Sequence, residues 1–223
     1  MRYREYLEPS IVDLSFVIQP RMKIGIVGRT GAGKSSILQA LFRLCDLSKG
    51  RIEIDGVNIT DLGLHLLRKN IAFIPQQPFL IQGTIRENLD PFSEKSDEEI
   101  TKALKEVSLL AYVESLKDKL STAVTESNNL FSVGQKQLVC LARAILRDTK
   151  ILVLDEATAN VDLETDNLIQ RKLRESFTNS TVIIIAHRLA TVIDADKILV
   201  MSHGHGVEYE HPAKLLSQNP ETE

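Results

Sequence analysis

The chain has no apolar run near the roughly 20 residues that a membrane-crossing helix needs. Its longest candidate, Val182 to Ala186, is the size of one strand. It has little cysteine: only Cys45 and Cys140, each set in an apolar helical pattern. That usage points to buried free thiols in a reducing compartment rather than to a disulfide, and two isolated cysteines argue against a structural zinc site. Basic charge is not in excess. The net charge of −3 argues against nucleic acid as the main partner, because proteins that bind a phosphate backbone are usually basic. The opening Met1-Arg2-Tyr3-Arg4-Glu5 carries no signal-peptide pattern, and the sequence contains neither an internal repeat nor a low-complexity stretch. What remains, 43% hydrophobic and 26% charged over 223 residues, is ordinary globular material, enough for one large domain or two small ones.

One stretch organises the rest. Gly28-Arg29-Thr30-Gly31-Ala32-Gly33-Lys34-Ser35 fits the phosphate-binding pattern G-x-x-x-x-G-K-[ST]. The apolar run Met22 to Val27 predicts a strand leading in, and Ser36 to Leu44 an amphipathic helix leading out. The glycines let the backbone curl until successive N–H groups face one anion, and the helix adds its positive N-terminal end. Lys34 can then reach the β- and γ-phosphates of a nucleotide, and the Ser35 hydroxyl can ligate Mg²⁺.

The flanks read as an α/β protein. Ile11 to Ile18 alternates like an edge strand, and Pro20-Arg21 is a turn. Arg51 to Ile54 and Val57 to Ile59 predict a hairpin about Asp55-Gly56. Leu62 to Leu67 predicts a short helix and Ile71 to Ile74 a buried strand. Ser96 with Glu99 forms a capping box, followed by Ile100, Ala103, Leu104, Val107 and Leu110 at helical spacing. Residues 84–147 therefore read as a helical subdomain inserted into one domain spanning 1–223. Continuous apolar strands at Ile151 to Leu154 and Thr181 to Ala186, with a third at Lys197 to Met201 and helices between, imply a largely parallel sheet.

Two further sites carry chemistry. Asp155 and Glu156 end a buried strand, where ligands bind in open α/β sheets. Asp155 can hold Mg²⁺ through a water, and Glu156 can polarise a water for attack on a γ-phosphate. His187 ends the next buried strand, where it can donate a hydrogen bond to the γ-phosphate. His203 and His205 flank Gly204 in a turn and read as surface residues rather than a metal pair.

At Phe131-Ser132-Val133-Gly134-Gln135, followed by Lys136-Gln137-Leu138 and Leu141-Ala142-Arg143-Ala144, the chain resembles the signature motif of ABC ATPases. The other family marks follow in order: the phosphate loop ending at Ser35, a Q-loop glutamine at Gln76, Asp155-Glu156, a D-loop ending at Asp162, and a switch histidine at His187. Asn88-Leu89-Asp90-Pro91 and Ala157-Thr158-Ala159-Asn160-Val161-Asp162 narrow the likeness to the second nucleotide-binding domain of subfamily C, the multidrug-resistance-associated exporters. The resemblance implies a P-loop NTPase core with a mostly parallel sheet, a small antiparallel β subdomain and an inserted helical subdomain. It implies Mg²⁺-dependent ATP hydrolysis, with ATP held by residues Gly28 to Ser36. Glu156, His187 and Gln76 are the catalytic set, and Gln76 joins Ser35 and Asp155 at the metal. Ser132, Gly134, Gln135 and Asp162 act across a head-to-tail interface on ATP held by a second nucleotide-binding domain. Tyr3 matches the aromatic that stacks on adenine; an exposed terminal tyrosine is the equal alternative.

Two departures from the family pattern stand out. Val133 replaces the consensus signature glycine and cannot allow the backbone approach or the positive φ that glycine can; the substitution is common in the second domain of subfamily C, so the resemblance implies a working but asymmetric partner. The family also has another strand before Tyr3, and subfamily C members have membrane domains and a first ATPase domain upstream. A fragment of a longer exporter or a truncated product is thus expected, soluble alone and membrane-associated on the cytoplasmic face within a transporter. Its transmembrane domains would dock on the helical subdomain and on the loop after Gln76. The alternative within the subfamily is an ATP-gated regulatory module with little turnover. A soluble ABC protein of DNA repair or translation lacks support, for there is no long coiled-coil insertion and no second ATPase domain. A GTPase lacks support because no N-K-x-D motif occurs.

Overall fold

The computed structural model describes residues 1–2, 6–125, 128–157, 161–186 and 191–218. They form two compact bodies, Met1–Ile71 with Ser180–Glu223, and Ala72–Asn179.

In the first body the apolar run becomes β1 (Lys23–Gly28), with Ile24 and Ile26 fully buried. Gly25 is needed between them, because a Cβ there would lie 2.7 Å from the Val192 side chain. The loop that follows feeds α1 (Lys34–Leu41), which buries Ile37, Leu38, Ala40 and Leu41. The helix starts before the expected Ser36 and stops before Leu44, since Arg43 turns left-handed at φ 47°. Cys45 thereby falls beyond the helix and is half-buried, not buried within it as expected; Cys140 is buried. The hairpin β2 (Glu53–Ile54) and β3 (Val57–Asn58) turns on Asp55 (φ 51°) and Gly56 (φ 79°), the two positive φ values of a type I′ turn. The short helix α2 (Leu64–Lys69) is tied to α1: Arg68 donates to the carbonyls of Phe42 and Arg43.

Residues 11–18 do not form the expected strand. Their polar contacts go to scattered partners: the Ile11 carbonyl accepts from the Met1 amine at 2.8 Å, Val12 N–H donates to the Gly204 carbonyl at 2.8 Å, and the Val17 carbonyl accepts from the Tyr209 hydroxyl at 2.9 Å. The alternating side chains do pack inward, with Phe16 5.6 Å from the Tyr209 ring. Alternation reports a half-buried segment; a strand also requires a ladder of backbone bonds along one edge.

β4 (Ile71–Ile74) leads into the second body, where the Thr149 hydroxyl accepts from Ala72 N–H at 3.1 Å and donates to the Ile151 carbonyl at 2.9 Å. β5 (Gly83–Thr84), α3 (Ile85–Leu89), α4 (Asp97–Glu106), α5 (Leu110–Ser115), β6 (Ala123–Val124) and α6 (Val133–Arg147) follow. Three of the helices begin with capping boxes, Thr84 with Glu87, Ser96 with Glu99, and Ser132 with Gln135. Each box satisfies first-turn N–H groups that have no partner within the helix. The predicted run from Ile100 breaks at Ser108 (φ 59°), so Leu109 rather than Leu110 fills the core and Leu110 opens α5. α6 packs against α3, α4 and α7 (Leu163–Ser176). β7 (Ile151–Asp155), apolar until its last residue, neighbours β4.

The chain then returns to the first body. β8 (Thr181–Ile185) and β9 (Lys197–Ser202) flank β1, both parallel to it, with Ile24 opposite Ile183 and Gly25 opposite Ile198. β10 (His205–Glu210) runs antiparallel to β9 through a turn at His203 (φ 48°) and Gly204 (φ 82°), and α8 (Pro212–Gln218) ends the described chain. His203 and His205 are exposed, as the sequence predicts. The architecture is α/β, with parallel strands about β1 and small antiparallel pairs beside them.

Candidate functional site

The glycines at the end of β1 are there for backbone reasons. Gly28 has φ 151° and would set a Cβ 2.3 Å from the Met201 carbonyl oxygen; Gly33 caps α1 at φ 100° and would set one 2.5 Å from that of Ser10. Gly31, at φ 83°, faces open space. The loop curls around the Lys34 side chain; the residue is 5% exposed, and its ammonium donates to the carbonyls of Gly28 at 2.7 Å and Arg29 at 3.2 Å. Arg29, Thr30 and Ser35 are exposed, while Ala32 and Ser36 are buried beneath. A fixed cation, the first turn of a helix and an open loop face form a cradle for an anion of phosphate size.

In the second body two of the predicted residues, 80 positions apart in sequence, touch: the Gln76 side-chain amide donates to Glu156 Oε2 at 2.8 Å. Gln76 follows β4 after Pro75 and Glu156 follows β7 directly, and those strands are neighbours. Glu156 sits at φ 46°, a left-handed conformation that costs a non-glycine residue about 1–2 kcal/mol. The carboxylate held there is the one Gln76 grips. Asp155 is half-buried at the last position of β7. No group of three or more metal-binding side chains occurs among the described residues. Mg²⁺ does not need one, since it keeps several waters and takes one or two protein oxygens beside those of a phosphate.

The signature segment begins a helix, as predicted. Ser132 Oγ accepts from Gln135 N–H at 3.2 Å, and Gln135 Oε1 accepts from Ser132 N–H at 2.9 Å. Val133 occupies the first turn with no positive φ and is half-exposed, so this position does not call for glycine's positive φ. The glycine that matters is Gly134. A Cβ there would meet Thr165 Oγ1 at 3.1 Å and Asp162 Oδ2 at 3.3 Å. Those two atoms hold each other: Asp162 caps α7, accepting from Thr165 N–H at 3.0 Å and from its hydroxyl at 2.7 Å. The same bonds hold the Asp162 carboxyl below its usual range. Gly134→Ala should therefore forfeit the roughly 1 kcal/mol that glycine-to-alanine replacement usually adds to a helix interior. We expect a melting temperature no higher than the parent's; a rise of several degrees by calorimetry would show that α6 and α7 do not press together here.

Tyr3, His187 and residues Thr158, Ala159 and Asn160 lie outside the described residues. Sequence reading missed Thr165, although Asp162-x-x-Thr165 is a legible helix-cap spacing, and it missed the Gln76–Glu156 bond, which no local pattern announces.

A family model described as "ABC transporter" matches residues 11–159. The chain is 55% identical over 220 residues to ABC transporter C family member 3 of Dictyostelium discoideum, covering 99% of this chain and 16% of that one. It is 56% identical over 209 residues to human ATP-binding cassette sub-family C member 4, covering 94% of this chain and 16% of that one. It thus spans about a sixth of the length of these relatives. A solved structure described as a bacterial Atm1-family ABC exporter with ATP bound superposes with a TM-score of 0.90 at 34% identity, over 98% of this chain and 38% of that one.

Proposed function

The chain belongs to the ABC transporter family, and from that premise we propose that it binds and hydrolyses ATP to power export by a multidrug-resistance-associated type of transporter. The observation that carries the reading is the Gln76–Glu156 bond. A carboxylate at a strand end has many explanations. One gripped by the glutamine expected at the metal and the attacking water has few.

Each residue then has a task. The Gly28 to Ser36 loop holds the β- and γ-phosphates, with Lys34 supplying fixed positive charge and Ser35 an oxygen for Mg²⁺. Asp155 and Gln76 would hold that ion together with Ser35. Bound there, Mg²⁺ neutralises charge on the phosphate oxygens. Glu156 takes the proton of the attacking water, Gln76 orients the pair, and His187 donates to the γ-phosphate. Tyr3 stacks on adenine. Ser132, Gly134, Gln135 and Asp162 act on the nucleotide of a second such domain, placed head to tail. Transmembrane domains dock on a helical subdomain of residues 84–147 and on the loop after Gln76, on the cytoplasmic face. No helix among the described residues is long and apolar enough to cross a membrane.

ATP hydrolysis with and without Mg²⁺ tests the reading. Phosphate release that requires both Mg²⁺ and Glu156 supports it; release indifferent to either overturns it.

A further inference from the structure

Gln137 lies on α6, two residues past the signature segment, and is 1% exposed. Its side-chain N–H donates to the carbonyl of Pro75 at 3.0 Å, one residue before Gln76. Its Oε1 is buried and accepts no hydrogen bond from any described residue. A buried amide with one oxygen left unsatisfied is costly, so packing alone would favour an apolar side chain of similar size here. The same helix grips the segment after Gln76 from further along. Arg143 donates to the carbonyls of Phe79 (2.9 Å) and Asn88, and to Asn88 Oδ1 at 2.8 Å. Asn88 in turn pairs with both backbone groups of Ile81 at 2.8 Å.

We propose that Gln137 is a positioning residue for hydrolysis: it fixes the backbone at Pro75, and so the Gln76 amide on Glu156, to the helix whose N-terminus carries Ser132 to Gln135. Arg143 is the second anchor, farther from Gln76. Any displacement of the α6 N-terminus by a nucleotide then moves Gln76 with it. The inference rests on the reading of Gln76 as a residue of hydrolysis.

Gln137→Met keeps length and volume while removing the donor and the unsatisfied oxygen together. In the 223-residue chain we expect faster backbone hydrogen exchange over residues 76–80 and unchanged exchange in the α6 interior. For ATP turnover we expect kcat to fall about tenfold with KM unaltered, the pattern of a group lost from the transition state only. If Gln137 acts through Gln76, Gln137→Met adds no further loss on top of Gln76→Ala. Gln137→Leu gives the same comparison should the methionine variant fold poorly. Unchanged exchange over 76–80, or losses that multiply in the double variant, overturns the proposal. If Gln76→Ala itself leaves turnover intact, the hydrolysis reading fails, while the exchange measurement still decides whether Gln137 tethers the segment.

Discussion

Glu156→Gln should lower ATP turnover by at least about a hundredfold, at the lower end of what a positioned general base contributes, while leaving ATP affinity nearly unchanged. The structure makes this substitution unusually clean. Glu156 Oε2 accepts one hydrogen bond from Gln76, and the carbonyl oxygen of a glutamine accepts the same bond. Shape, the strained φ of 46° and the contact to Gln76 all persist, so charge and basicity are what is removed. Single-turnover hydrolysis and equilibrium nucleotide binding, measured on the same preparations, separate the two effects. A variant that binds ATP tightly and hydrolyses at the parental rate would remove Glu156 from the mechanism. A parent that binds ATP and hardly turns it over would favour the ATP-gated regulatory module instead.

The second large effect is expected at Lys34. The residue is nearly excluded from solvent, and its ammonium is held by the carbonyls of Gly28 and Arg29 at the base of the loop. A cation so placed is fixed before the nucleotide arrives, so little ordering is needed at binding. Hydrogen bonds to charged groups contribute about 1.5–3 kcal/mol each, so Lys34→Met should weaken ATP binding roughly 10- to 150-fold. The methionine stem fills the same space, which keeps the loss from being one of packing. Titration calorimetry with ATP checks the affinity, and a thermal melt checks the fold. Undiminished affinity in a folded variant would show that the loop is a structural turn.

The fold was legible where sequence signals are local. The apolar run before Gly28, the Asp55-Gly56 turn and the Ser96–Glu99 capping box all appear where the pattern places them. The misreadings share one cause: residues 11–18 alternate but find no ladder, and the spacing from Ile100 runs past a break that Ser108 makes by turning left-handed. Periodicity reports which side chains face inward, not what the backbone bonds to. In the site, residue types at fixed spacing identified the phosphate loop, but the contacts that organise the second body join residues 62 and 80 positions apart, Pro75 with Gln137 and Gln76 with Glu156. Such pairs leave no trace in a window of a dozen residues. At the signature, the position of Val133 is plain helix with no positive φ, and the steric demand within the chain falls on Gly134.

We propose that two such domains, placed head to tail, hydrolyse ATP with each Glu156 served by the other's signature helix. The direct test is the Mg²⁺-dependent ATPase rate per molecule as protein concentration is raised, with Glu156→Gln as the blank. The rate per molecule should climb with concentration and fall to the blank on dilution. A rate well above the blank and constant from dilute to concentrated solution would contradict it, because hydrolysis would then need no partner.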